Sequence, residues 1–185
     1  MKVFKTEING VLLIEIDAFQ DNRGLFYESY QKKRYSEFGI EDNFVQDNFS
    51  SSAKNVIRGL HYQKKNSQSQ LLTILNGTIF DVLVDLRKTS PTFKKWISID
   101  LNDNGNIRQI YMPPGIAHGF CVLSNHAYIH YKVNKKYVPE NEAGIHWADN
   151  ELKIKWPISE PILSVRDDSY PSLSGLSIND LPKDL

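Results

Sequence analysis

The chain has 185 residues, with 22 Lys plus Arg against 22 Asp plus Glu, so it carries no net field that would gather nucleic acid or an anionic membrane. Hydrophobic residues at 41% and charged residues at 24% are ordinary for a globular chain, and this length closes a single domain over 1–185 without a linker. A lone Cys121 excludes an internal disulfide and a multi-cysteine zinc site and suits a reducing compartment, with the cytoplasm as the expectation.

Taken in order, the chain opens with MKVFKTEINGVLLIEID, where Glu15 and Asp17 interrupt an apolar run far too short for a signal peptide or a membrane span. Strands are expected at 11–16 and 25–29. ESYQKKRYSEFGI predicts a short helix, with Tyr35 and Phe38 three apart and Gly39 as its stop. A strand is expected at 56–63. LLTILNGTIFDVLVDL follows, and its Asn76-Gly77 between two β-rich runs predicts a type I′ hairpin. Further strands are expected at 96–101, 108–112, 119–123 and 128–133. GIHWADNELKI holds at most one helical turn, and the Ser-, Asp- and Pro-rich tail from about 168 reads as irregular surface chain. Many short strands and few helices predict an all-β antiparallel jelly roll, two packed sheets whose interior can hold a ligand.

The candidate chemistry lies on those strands. In VIRGLHYQ, alternation places Ile57, Gly59, His61 and Gln63 on one face and Arg58, Leu60 and Tyr62 on the other. A histidine there is a packed ring, a metal ligand or a proton carrier, and its own segment does not separate the three. YMPPGIAHGF sets His118 after a rigid Pro-Pro-Gly turn, and Pro-x-Gly-x-x-His is half of the signature of metal-binding cupins. The other half needs His-x-His; here that step reads His61-Tyr62-Gln63, leaving two ligands where a transition metal wants about three. In AYIHYKV, Tyr131 shares a face with Ile129 and Val133, either as core or as a phenol reaching a cavity. In LSVRDDSY, Asp167 and Asp168 are loop carboxylates, one of which could hold the tautomer of an imidazole. There is no phosphate loop and no serine elbow.

FQDNRGLFYESY, FVQDNFSSSAKNVIRGLHYQ, GTIFDVLVDLRKTSPTF, MPPGIAHGF, HYK, GIHWAD and PILSVRDD, in this order and spacing, together resemble the dTDP-4-dehydrorhamnose 3,5-epimerase family. The resemblance implies a cupin-type jelly roll, no metal or organic cofactor, a nucleotide-sugar substrate and a homodimer that exchanges N-terminal strands. It also implies His61 as catalytic base paired with Asp167, and Tyr131 as proton donor across the sugar. Arg23, Glu28, Gln46, Asn48, Arg58 and His118 match positions that line the sugar and diphosphate; Phe26 and Tyr137 match positions near the nucleotide.

Two positions depart from the family pattern. Gln70 stands where the family usually has a lysine beside the enolate oxygen, and Phe49 stands where a histidine is frequent. Glutamine donates a hydrogen bond but brings no charge. The leading expectation is a cofactor-independent epimerase of a nucleoside-diphosphate 4-keto-6-deoxyhexose. Its alternatives are an epimerase acting at C3 only, one using another nucleotide such as GDP, a metal-dependent cupin enzyme using His61 and His118, and a non-catalytic sugar-nucleotide binder.

Overall fold

The computed structural model describes residues 1–183. Thirteen strands run in chain order: β1 Lys2–Lys5, β2 Leu12–Glu15, β3 Ala18–Asp21, β4 Gly24–Tyr27, β5 Gln46–Ala53, β6 Ile57–Gln63 and β7 Gln70–Asn76. β8 Thr78–Asp85, β9 Trp96–Asn102, β10 Ile107–Met112, β11 Ile116–Val122, β12 His126–Val133 and β13 Glu142–Gly144 complete them. Two short helices, α1 Lys32–Ser36 and α2 Val165–Ser169, accompany them. A six-stranded sheet, β1-β2-β10-β7-β12-β5, faces a five-stranded one, β13-β6-β11-β8-β9, while among the described residues β3 and β4 pair only with each other.

The interior between the sheets is filled by the inward residues of each strand, such as Leu72 and Ile74, Ile79 and Leu83, Ile110, Val122 and Ile129. The outer faces are covered as well. The chain around Ile145 and Leu152, together with Leu173 and Leu181, covers Val82 and Val84 of β8. Around α1, Tyr35 and Ile40 cover Ile14, Leu71 and Tyr111 on the other sheet. Because β7 and β8 are covered on both faces, their sequence reads as one nearly unbroken apolar run.

That double burial corrects one expectation. β7 pairs with β10 and β12, whereas β8 pairs with β9 and β11, so Asn76-Gly77 is no hairpin but a corner that carries the chain from one sheet to the other. Gly77 has φ 88°, and a Cβ there would stand 2.2 Å from the His126 carbonyl oxygen. A sheet-crossing corner demands the same left-handed residue as a type I′ turn, and apolar flanks do not say which neighbour each strand takes.

The tail is also more ordered than expected. Asp167 is buried within α2, and Leu173 and Leu181 are buried beyond it. Their apolar side chains dock on the five-stranded sheet; residues 184–185 of the tail lie outside the described residues. The α1 helix ends at Ser36, and Gly39, the expected stop, closes the turn that follows at φ 83°, where Gly39 N–H donates to the Ser36 carbonyl and Ile40 N–H to that of Tyr35.

Candidate active site

Towards β5 and β6 the apolar filling gives way to a cavity of about 480 Å³. The sheets supply its opposite walls. Gln46 and Asn48 of β5, Gln70 of β7 and Tyr131 of β12 line one; Arg58, His61 and Gln63 of β6 and His118 and Phe120 of β11 line the other. β5 carries no apolar alternation, which is why hydropathy does not mark it as a strand. Its inward residues, Gln46, Asn48 and Ser50, are polar because they front the cavity.

Strict alternation would separate Arg58 from His61, and the structure corrects it. Arg58 lies opposite Phe120 and His61 opposite His118, so Gly59 and Leu60 together face the single Gly119. This bulge adds one residue and turns both side chains to the same cavity. Gly59, at φ 121°, packs so closely that a Cβ would stand 2.4 Å from the Gly119 Cα.

His61 Nε2 meets Asp167 Oδ1 at 2.5 Å, and Asp167 is only 3% exposed. Ser164 caps α2 by accepting a hydrogen bond from the Asp167 backbone N–H at 3.0 Å. Burial alone would push the Asp167 carboxyl up. Hydrogen bonding and charge from His61, then Ser164 and Arg166, outweigh it and hold the group below its ordinary 3.8. It therefore stays a carboxylate, able to orient the imidazole and to stabilise its protonated form.

A second pair stands beside the first. His118 Nε2 lies 2.8 Å from Asp81 Oδ2, and Asp81 is fully buried, with Oδ1 unpartnered among the described residues. Burial raises the Asp81 carboxyl in spite of His118. Across the cavity, burial also raises the Tyr131 phenol, opposed by the Arg58 charge and reinforced by Glu142. Tyr131 is thus a neutral O–H at ordinary pH, positioned to give a proton.

The mouth carries its own network. Tyr137 O–H donates to Glu142 Oε2 at 2.5 Å, Arg166 pairs with the same carboxylate, and Tyr137 N–H donates to Gln46 Oε1 at 3.0 Å. Glu142, Arg166 and Asp81 escaped the sequence reading. Only Asp81 left a signal there, a charge alternating with Ile79 and Leu83 on an inward face.

Arg23, Phe26 and Glu28 do not join the cavity of their own chain. They lie at the β3–β4 hairpin, where Arg23 pairs with Asp21 at 2.6 Å, Glu28 pairs with Arg34 at 2.8 Å and Phe26 is 71% exposed. The physical reason is that this hairpin is bonded to neither sheet. Among the described residues, no group of three or more His, Cys, Asp or Glu side chains is arranged to hold a metal ion.

Residues 5–175 match the family model for dTDP-4-dehydrorhamnose 3,5-epimerase. The chain belongs to this family. It is 48% identical over 169 residues to the dTDP-4-dehydrorhamnose 3,5-epimerase of Shigella flexneri, covering 90% of this chain and 93% of that one. It is 38% identical to the dTDP-4-dehydrorhamnose 3-epimerase of Streptomyces niveus, over 90% of this chain and 81% of that one. Among solved structures, the dTDP-6-deoxy-D-glucose-3,5-epimerase of Legionella pneumophila Philadelphia 1, in complex with dTDP-4-keto-L-rhamnose, superposes with a TM-score of 0.94 at 45% identity. That match covers 100% of this chain and 98% of the Legionella chain.

Proposed function

We propose that this chain is an isomerase that inverts C3 and C5 of dTDP-4-dehydro-6-deoxyglucose, giving dTDP-4-dehydrorhamnose for rhamnose biosynthesis. The observation that carries this reading is the placement of His61 and Tyr131 on opposed walls of one cavity, in a chain of this family. The keto sugar-nucleotide held by the Legionella relative supports the substrate class.

The chemistry follows from the walls. A 4-keto group acidifies the C–H bonds on either side of it. His61 removes one of these protons as a neutral imidazole, Asp167 stabilises the imidazolium, and the charge moves to the keto oxygen as an enolate. Tyr131 returns a proton from the other face, and the carbon inverts. Water then takes the proton from the His61 imidazolium and returns one to the Tyr131 phenolate, and a second round at the other carbon completes the product. No electron leaves or enters, so the cycle calls for no redox partner.

The enolate oxygen needs a donor. Gln70 offers a neutral N–H there, and the positive charge comes from Arg58, the cation whose field already reaches Tyr131. His118, Gln46 and Asn48 bind the sugar and diphosphate, and Tyr137 lies against the nucleotide at the mouth.

The proposal includes a homodimer. Phe19, Leu25 and Phe26 leave an apolar surface on a hairpin bonded to neither sheet, a cost that a second copy removes by receiving it. Arg23 and Glu28 then serve the partner's cavity. Sedimentation should give a dimer at micromolar concentration; a monomer would overturn this part. The lone Cys121, with no partner in the chain for a disulfide, supports a reducing compartment such as the cytoplasm.

A second reading, inversion at C3 alone, is favoured by the Streptomyces niveus relative, which is named a 3-epimerase. Incubation with dTDP-4-dehydro-6-deoxyglucose in deuterium oxide, followed by proton NMR, decides. Loss of both the H3 and H5 signals supports double inversion, loss of H3 alone supports the second reading, and retention of both refutes the proposal.

A further inference from the structure

The segment that delivers Asp167 also delivers a ring. Tyr170, which ends α2, sets its phenol at a 66° tilt to the His61 imidazole, with ring centroids 5.6 Å apart. It fits because its neighbour has no side chain. β13 runs antiparallel to β6 with Gly144 opposite His61, and a Cβ on Gly144 would stand 2.5 Å from Tyr170 Cδ2 and Cε2. The Tyr170 hydroxyl is buried and makes no hydrogen bond among the described residues. Nothing there anchors the residue through its oxygen, so the ring's packing holds it.

A histidine tied to one carboxylate keeps a rotational freedom about that single bond. The Nε2 bond to Asp167 fixes one atom of the His61 ring, and a plane needs a second restraint. Tyr170 supplies it without lining the cavity itself. We propose that Tyr170, seated on Gly144, is a positioning residue that fixes the plane of the His61 imidazole, so that its free nitrogen stays aimed into the cavity while Nε2 stays on Asp167. This rests on the reading of His61 as the base.

The test uses the full chain and three variants. Tyr170→Ala removes the ring, Tyr170→Phe removes only the unpartnered hydroxyl, and Tyr170→Leu fills the seat with a flexible aliphatic side chain. Because misplacement of about 1 Å costs on the order of 10²-fold, Tyr170→Ala should lower kcat by about 10- to 100-fold. KM and calorimetric dTDP affinity should stay within about twofold, and the acid limb of the kcat/KM pH profile should move. Tyr170→Phe should restore all of these.

Histidine-selective ¹⁵N NMR without substrate gives a readout independent of turnover. The His61 Nε2–H resonance should shift or broaden in Tyr170→Ala and stay in place in Tyr170→Phe. If Tyr170→Ala does not fold, Tyr170→Leu is read in the same way. Wild-type kcat with an unmoved His61 resonance in the ring-less variants would overturn the proposal, as would Tyr170→Phe behaving like Tyr170→Ala. Absence of turnover in the wild type would instead count against the epimerase reading, with the resonance still deciding the role of Tyr170.

Discussion

Two histidine–aspartate pairs border the same cavity, and their surroundings set them apart. His61 and His118 lie opposite each other across β6 and β11. Behind His61, Asp167 sits in a capped helical turn with Ser164 and Arg166 beside it, and its carboxyl is held low. Behind His118, Asp81 sits inside a sheet between Ile79 and Leu83, with one oxygen unpartnered among the described residues and its carboxyl pushed up by burial. The same two residue types therefore make different devices. The first keeps an anion ready to stabilise an imidazolium, as a base requires; the second resists separating charge and suits a hydrogen-bonding contact.

The largest effect that could break this contrast lies with the histidines. His61→Asn should lower epimerisation by about 10²- to 10⁴-fold, the range for a lost general base, with dTDP affinity retained. His118→Asn should act mainly on KM. Equal losses of kcat in the two variants would end the distinction.

Replacing the aspartates comes next. Asp167→Asn should lower kcat by about 10²-fold, since the imidazolium loses its counter-charge, whereas Asp81→Asn should cost less than about tenfold. Both are read from initial rates with the keto sugar.

Acidity sharpens the comparison through stability. Asp167 has a depressed folded-state pKa, so its contribution is complete above 3.8 and is lost as pH falls through the folded value. The melting-temperature gap between wild type and Asp167→Asn should hold from pH 7 to about 5 and close below about 4. Asp81 has the opposite sign: its raised pKa costs stability as pH rises above 3.8. By calorimetry, Asp81→Asn should match or exceed the wild type at pH 7 and lose that advantage in acid.

The smallest effect concerns the cavity's missing ammonium. Gln70→Lys should raise kcat by up to about tenfold, roughly 1.4 kcal/mol of barrier, by adding charge beside the enolate oxygen. A fall in kcat would show that Arg58 already meets that need.

How far the sequence reached depends on which physics each element obeys. Strands with one covered face and the helix stop at Gly39 were legible, because period and turn chemistry speak locally. The Asn76-Gly77 corner was not, since hairpins and sheet crossings ask for the same glycine and only tertiary pairing tells them apart. β5 was hidden by the polarity that makes it a cavity wall, and the β6 bulge by a single extra residue that no alternation rule anticipates. In the site, His61 was ambiguous from its own segment. Family resemblance, together with the 106 residues separating it from Asp167, explains why its partner could be named but not placed by local reasoning. Glu142 and Arg166 left no periodic trace because they come from a three-residue strand and a five-residue helix at the mouth.

Opposed placement of base and acid is tested most directly by the stereochemistry of exchange in Tyr131→Phe. In deuterium oxide this variant should wash deuterium into the substrate beside the ketone with configuration retained, because His61 returns the label to the face from which it took the proton. Inversion at wild-type rate in Tyr131→Phe would contradict the account.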